Sequence, residues 1–428
     1  MKRAPVKQYL DLYDANRSML GERQAERRAL EEAELLDPVF APEDYGVNMG
    51  RMPLPVDVNR SMGCDVPQVT TLPAIMVNDI FAASPKLEEK LPEGVKFMSL
   101  RRAMRECPEL IPPMPAGDDT AETRLNDLLW TDGVLLSVAD GVQLSRPLQL
   151  TNILSAPMDL MAMRRVVISL GRNAEAQLLI CDHTQDCERR YLVNELVAVT
   201  LAEGAHLTLD RVEESSPLTT VRTTLNATLD AHATLRCTTA SLHSGDSVTS
   251  TNVLLLGDGS EARVNGMVIA DGEERRDHST RITHRGRHTK SNQIFKYVAD
   301  GRSRCSFDGL IVVEEGALFT EAYQTNHNLL ASGDATMHSE PALEIYCDEV
   351  KCNHGATTGQ LDEMALFYMR SRGIPEAEAR HMLMQAFVDD VIDQVHIEGL
   401  RHRLRHLVER RFTGEDESCN ECSIGQNV

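Results

Sequence analysis

A thiol and an imidazole stand two residues apart in this sequence, at Cys352 and His354. Thiolate sulfur and neutral imidazole nitrogen are ligands that iron and zinc accept. The hydrophobic pattern is extended up to Lys351 and takes helical spacing from Asp362. These residue types allow a soft-metal site at the junction of a β region with helices. Because two ligands do not complete a site, the missing ones should come from another chain; from the residues alone, a structural role in a core or turn is the interpretation that we favour.

Three histidines form a second group of possible ligands, at His278, His284 and His288. Their equal parity allows them to share one face of a strand, as a metal site would require. The alternative, which we favour, is a strand and turn that carry exposed polar residues.

Two cysteine pairs are weaker candidates. Cys181 and Cys187 flank a predicted turn, but a zinc site would need a second pair nearby, and the sequence shows none there. Cys419 and Cys422 form a Cys-x-x-Cys in an acidic tail that is predicted to be disordered. Such a pair is able to hold metal or to form a disulfide, yet closed metal sites generally need four ligands.

The composition restricts the class of protein. The 428 residues are 42% hydrophobic and 25% charged, as in soluble globular proteins, and they predict two or three domains. A net charge of −21 argues against binding to nucleic acid or to an anionic membrane, and an aromatic content of 4% argues against sugar binding. Neither a membrane-spanning run nor a signal peptide is visible. Ten cysteines in such a chain indicate reduced thiols and a cytoplasmic location.

A repeated unit in the middle of the chain must position these groups. It consists of an apolar strand, a short polar turn and an alanine anchor, and the anchors are spaced 28 or 29 residues apart at Ala176, Ala205, Ala233 and Ala262. Superposing the units stacks Leu178, Leu207, Leu235 and Val264. Such stacking is typical of a solenoid, in which each coil buries its inward face against the next. We predict a mainly β fold with helical ends, built on a right-handed parallel β-helix; a β-sandwich with long hairpins is the alternative.

Helical regions are predicted on both sides of this core. The chain then divides into an N-terminal helical or mixed region (1–124), the β-helix core (125–357), a C-terminal helical region (358–413) and an acidic tail (414–428). Apolar spacing predicts a helix over 6–36, and prolines predict a loop over 37–60. Ser99 is a candidate N-cap, and Asp362 can cap a helix that Gly373 ends.

Several runs in the second half of the chain resemble the shared core of the SufB/SufD family of iron–sulfur cluster assembly proteins. They begin at Thr283-His284 and continue through 291–301, 307–313, 322–330, 341–346, 348–357 and 361–374. The resemblance spans residues 125–395 and is most specific in its last third.

Single positions favour the SufD branch of this family over the SufB branch. Asn326 stands where SufB has a cysteine used in cluster assembly. Gly355 follows His354 where SufB has a glutamate in a His-Glu-Ala-Thr run. Both departures imply a poor sulfur acceptor at that site. His327 stands where the SufD pattern leads us to expect a basic residue such as arginine.

The resemblance implies a function as well as a fold. It implies pairing with SufB through the β-helix, with His354 and its neighbour Cys352 at an interface that holds an iron–sulfur cluster transiently. It implies that the ABC-type ATPase SufC docks on the C-terminal helices, where the selected residues are Leu366, Phe367, Tyr368, Arg370 and Arg372. This chain has no phosphate-binding loop of its own, so ATP hydrolysis belongs to SufC.

We therefore expect a non-catalytic scaffold subunit of a SufBCD complex that holds no cofactor stably by itself and has a role in iron entry. Self-pairing as a homodimer is a further possibility, because exposed solenoid strands can pair with a paralogue or with themselves. Two alternative functions are a β-helix enzyme acting on polysaccharide and a purely structural solenoid. The enzyme would need clustered carboxylates in an aromatic-lined groove, and the single tryptophan argues against it.

Overall fold

The computed structural model describes residues 6–31, 71–82, 85–115, 120–185 and 187–414. The loop predicted over 37–60 lies outside these residues, and so do Cys419 and Cys422 of the tail. No helix in the described ranges has the length and the apolar character that crossing a membrane requires.

The N-terminal region combines helices with short strands. Its elements are α1 (Val6–Leu20), α2 (Gln24–Glu31), β1 (Leu72–Val77), β2 (Ile80–Ala82), α3 (Pro85–Glu88), β3 (Val95–Ser99), α4 (Leu100–Glu106), a 3-10 turn (Pro108–Leu110) and α5 (Ala121–Leu129). The single helix predicted from residue 6 onward is wrong, because Gly21 adopts a φ of +83° and ends α1 before α2 begins. Ser99 caps α4 as predicted, since its hydroxyl accepts a hydrogen bond from the Arg102 N–H at 3.2 Å.

The strands that follow alternate between two sheets. They are β4 (Asp132–Val138), β5 (Leu148–Leu154), β6 (Leu160–Leu170), β7 (Glu175–Thr184), β8 (Tyr191–Leu201), β9 (His206–Glu214), β10 (Thr219–Leu229), β11 (Thr234–His243), β12 (Asp246–Leu255), β13 (Glu261–Ala270), β14 (Arg275–His284), β15 (Lys290–Ala299), β16 (Arg304–Val313), β17 (Glu321–Leu330), β18 (Thr336–Ile345) and β19 (Lys351–Gln360). Sheet A has the order β19-β17-β15-β13-β11-β9-β7-β5-β1-β2, and sheet B has the order β18-β16-β14-β12-β10-β8-β6-β4-β3. Neighbouring strands from β4 to β19 are parallel, so each coil stacks on the one before. The predicted β-solenoid with helical ends is confirmed.

The predicted stack of leucines is wrong in register at two of its steps. Leu207 pairs with Leu235 as predicted, but Leu178 pairs with Leu209, and Leu235 pairs with Ala262. Both errors are slips of two residues, which leave each side chain on the same face because strand side chains alternate with a period of two. The corners between strands differ in length, which accounts for the shifts of two residues, and the inward row stays apolar.

A network of paired charges interrupts this apolar interior. Arg164 donates to Asp182 at 2.7 Å and to Glu195 at 2.6 Å, and Arg211 donates to Asp182 at 2.7 Å. Arg211 also contacts Glu195. The side chains of Arg164 and Glu195 are 2% and 0% exposed, so neither charge has access to bulk water. Buried charges persist only when they are paired in this way.

Three C-terminal helices follow the solenoid, α6 (Glu363–Ser371), α7 (Glu376–Ile392) and α8 (Glu398–Thr413). Asp362 caps α6 as predicted, since its carboxylate accepts hydrogen bonds from the Met364 and Ala365 N–H groups at 2.8 and 3.2 Å. Gly373, with a φ of +91°, follows the end of the same helix. Helices α7 and α8 cover the outer face of sheet A, and their apolar contacts include Met384, Val388, Val391, Leu404 and Val408 against Leu179, Val212, Met267, Ile269 and Val298.

Candidate functional site

The terminal coil of the solenoid, formed by β18 and β19, carries no further coil among the described residues. β19 is the last strand of sheet A, and β18 is the last strand of sheet B. Every residue of β19 is exposed except Cys352, which is half-buried. In β17, one coil earlier, alternate residues are buried. The terminal coil therefore presents two strand edges and one open end of the solenoid interior.

Cys352 and His354 lie together on the inward row of β19. They pair in register with Ala322 and Gln324 of β17, both of which are buried. They lie in the strand that directly precedes the C-terminal helices, although the sequence did not resolve β19 (Lys351–Gln360) as a strand separate from β18, which ends at Ile345. Parallel pairing with β17 holds this segment extended. The two candidate ligands thus share one face at the open end.

A neutral polar floor lies directly beneath them. Gln324 is 1% exposed, and neither atom of its side-chain amide has a hydrogen-bond partner. Asn326 donates to the Phe295 carbonyl at 3.3 Å, and its oxygen accepts from Asn328 and Ser339, both at 2.7 Å. Sequence reasoning did not select Gln324, because its register with His354 depends on a spacing of 30 residues that the repeat of 28 or 29 does not give. The floor carries amides and a hydroxyl, and it brings no thiol to the site.

Burial raises the pKa of the Cys352 thiol, and the neighbouring Cys347 raises it further. The thiol is therefore protonated at neutral pH, and binding of a metal would release that proton. The described residues contain no group of three or more His, Cys, Asp or Glu placed to hold a metal ion. Cys352 and His354 remain a predicted pair of ligands that other groups would have to complete.

The three histidines predicted as a second group do not converge. His278 and His284 are buried on the inward row of β14, whereas His288 lies in a corner and stacks on Phe319 with ring centroids 4.7 Å apart. The His284 ring contacts the hydroxyls of Thr289 and Ser291 at 2.8 and 2.9 Å. The expectation of exposed polar residues is therefore wrong for His278 and His284. Burial lowers the pKa of both to about 4, so they are neutral interior groups.

The other cysteine pair is also divided between environments. Cys181 is buried on the outer face of sheet A beneath the C-terminal helices. Cys187 is half-buried, and its thiol donates to the Thr184 carbonyl at 3.9 Å.

Helix α6 turns an apolar face to solvent beside the terminal coil. Met364, Phe367 and Tyr368 are 74%, 67% and 58% exposed. Arg370 pairs with Glu376 at 3.3 Å, and the Arg372 guanidinium lies 5.1 Å from the centre of the Tyr368 ring. Leu366 is buried, so among the residues selected for docking it anchors the helix while the others face outward.

The fold and the site together define a parallel β-solenoid protein with a cysteine and a histidine on an exposed terminal coil. A family model described as the SUF system FeS cluster assembly SufBD core domain matches residues 152–387, which is more than half of the chain. The model of the SufBD protein N-terminal region matches residues 31–150. The chain therefore belongs to the SufBD family of iron–sulfur cluster assembly proteins.

Individual relatives support the same assignment. The chain is 35% identical to the iron–sulfur cluster assembly protein SufD of Escherichia coli over 165 residues, which are 39% of each chain. It is 25% identical to SufD of Bacillus subtilis over 335 residues, 77% of this chain and 76% of the relative. It is also 25% identical to a SufBD family protein of Synechocystis sp. over 367 residues, 83% and 81% of the two chains. Two of these relatives carry the name SufD, in agreement with the branch that the sequence predicted.

Proposed function

We propose that this chain is a non-catalytic scaffold subunit of a SufBCD-type complex. The exposed terminal coil is the observation that supports the proposal. Two strand edges that lie side by side can be extended by the corresponding edges of a SufB chain, because backbone N–H and C=O groups of an edge strand are available for pairing. Such pairing would cover the inward row of β19 and place Cys352 and His354 at the interface.

In this proposal iron or an assembling cluster is cargo, not a resident cofactor. Cys352 and His354 supply a sulfur and a nitrogen ligand, and the SufB chain supplies the rest. The isolated chain then holds metal weakly, and its part in the complex is to admit iron. ATP hydrolysis is left to SufC, consistent with the absence of a phosphate-binding loop from this sequence.

Iron analysis of the reconstituted complex tests the metal role. His354→Ala and Cys352→Ser should leave co-purification with SufB and SufC unchanged and reduce the iron content several-fold. His338→Ala is the matched control, because His338 is an exposed histidine on the outward row of β18. Wild-type iron content in His354→Ala and Cys352→Ser would refute the metal role and favour a purely structural solenoid.

The exposed face of α6 is proposed as the docking surface for SufC. Phe367→Ser should abolish co-purification of SufC and leave SufB bound, since most of the Phe367 side chain is exposed and available to a partner. Met382→Ser on α7 is the control, because Met382 is also exposed, at 47%. Retention of SufC by Phe367→Ser at the wild-type level would show that SufC docks on another surface.

Self-pairing is proposed for the chain in isolation. Every copy carries the same two edges, so two copies can pair end to end about a two-fold axis. Light scattering of the purified chain should give the mass of a dimer, and addition of SufB should replace it with a heterodimer. A monomer at all concentrations would contradict self-pairing without affecting the proposed pairing with SufB.

A further inference from the structure

Two thiols flank the last corner of the solenoid. Cys347 follows the end of β18 by two residues, and Cys352 is the second residue of β19. Both are half-buried. They pack on one small apolar cluster, which consists of Ile311, Val313, Ala317 and Ala322.

The geometry of this corner brings side chains from its two flanks together. Two coils earlier, His284 and Ser291 occupy the positions of Ile345 and Cys352 in the same stacks. There the His284 ring lies 2.9 Å from the Ser291 hydroxyl. The last corner has the same length of five residues, and Cys347 lies within it, closer in sequence to Cys352 than Ile345 is. Its side chain and that of Cys352 therefore reach the same small apolar cluster from the two flanks of the corner.

The other cysteines among the described residues have different surroundings. Cys181, Cys237 and Cys305 are buried. The thiol of Cys107 contacts the Met98 sulfur at 3.9 Å, and that of Cys187 contacts a backbone carbonyl. In the described ranges, the last corner is the place where two half-buried thiols share one cluster, and accessible thiols are the ones that exchange with disulfides.

We propose that Cys347 and Cys352 form a reversible disulfide by exchange with a low-molecular-weight disulfide. One cysteine, as its thiolate, attacks a sulfur of the reagent, forms a mixed disulfide and expels one thiolate of the reagent. The second cysteine thiolate attacks the mixed disulfide at the protein sulfur and expels the other. The two cysteines lose two protons and two electrons, and the reagent gains both to give two thiols. Oxidation makes the Cys352 sulfur unavailable as a metal ligand. This consequence rests on the proposed function, whereas formation of the disulfide does not.

Peptide mapping tests the disulfide directly. The purified full chain, carrying Cys419→Ser and Cys422→Ser to remove the tail thiols, is equilibrated with excess oxidised glutathione, alkylated and digested with trypsin. Cleavage after Lys351 separates the two cysteines, so the disulfide should link fragment 305–351 to fragment 352–370. Glutathione adducts on single cysteines, or no linkage under fully oxidising conditions, would overturn the proposal.

Single variants identify the partner and separate the two claims. Because fragment 305–351 also contains Cys305, Cys347→Ser must abolish the link, and a link that persists would assign it to Cys305 and overturn the pair. The consequence for metal is read from the thiolate-to-cobalt absorption band of the chain loaded with Co²⁺. Oxidation should remove the band in the wild type together with formation of the linked fragments, whereas in Cys347→Ser the band should be lost only to the extent that a glutathione adduct forms on Cys352. A mapped disulfide without loss of the band would refute the consequence and leave the disulfide standing.

Discussion

The two ends of the solenoid are built differently. At the N-terminal end β4 is buried along its whole length and is paired with the antiparallel β3, while β1 is paired with the antiparallel β2. At the C-terminal end β19 is exposed along nearly its whole length. An antiparallel partner stops a parallel stack and leaves only a short edge. Among the described residues, the chain closes the solenoid with antiparallel strands at one end only, which supports a binding role for the other.

The two halves also differ in the buried groups that titrate. Near the closed end, burial raises the pKa of Asp79 to about 6 and also raises the pKa of Asp132. Toward the open end, burial lowers the pKa of His278 and His284 to about 4. A buried neutral carboxyl lowers the stability of the folded chain as the pH rises, and a buried neutral imidazole lowers it as the pH falls. The half near the closed end should therefore lose stability toward high pH, and the half near the open end toward low pH.

The largest expected effect comes from breaking the charge network in the closed half. Arg164→Met leaves Asp182 and Glu195 buried with Arg211 as their remaining cation, and loss of one partner from such a network costs about 3–5 kcal/mol. Urea unfolding measures this loss. Arg172→Met is the control, because Arg172 pairs with Asp140 on the surface, and it should cost less than about 1 kcal/mol. Equal effects of the two variants would show that the interior network is not structural.

Replacing a buried histidine tests the acid sensitivity of the open half. The folded chain holds His284 neutral, with a pKa lowered from 6.5 to about 4, so its contribution to stability is complete above pH 6.5 and is lost as the pH falls toward 4. The loss amounts to about 3 kcal/mol. His284→Gln should unfold with a free energy that depends less on pH between 7 and 4, with His338→Gln as an exposed control. Unchanged pH dependence would place His284 in contact with water.

The opposite response is expected from Asp79 at the closed end. Its pKa is raised from 3.8 to about 6, so stability is complete below pH 3.8 and is lost as the pH rises through 6. The free energy of unfolding of Asp79→Asn should therefore exceed that of the wild type by about 3 kcal/mol at pH 8 and by little at pH 4. Asp140→Asn, at an exposed carboxylate, serves as the control. Hydrogen-exchange protection factors should show β1 to β4 less protected at pH 8 than at pH 4, and an unchanged pattern would contradict the prediction.

The sequence predicted the solenoid because each covered coil must bury one face, and that face appears as alternating apolar residues. It could not give the register, since a slip of two residues preserves the alternation. It did not resolve β19 as a separate strand for a physical reason: no coil among the described residues covers the terminal coil, so Gly355, Thr357 and Gly359 lack the alternation of a buried strand. Cys352 and His354 could be selected by their chemistry, but their place on an open strand depends on pairing with a distant segment.

The smallest expected effect concerns stability at the open end. His354 is exposed and has no neighbour that its removal would leave buried and unpaired, so His354→Ala should change the free energy of unfolding by less than about 0.5 kcal/mol. Asn326→Ala, one coil beneath, should cost about 1–3 kcal/mol, because it removes the amide that Asn328 and Ser339 contact. Urea unfolding of the isolated chain compares the two. If His354→Ala proved as destabilising as Asn326→Ala, the terminal coil would be part of the chain's own core, and the contrast between a closed and an open end would fail.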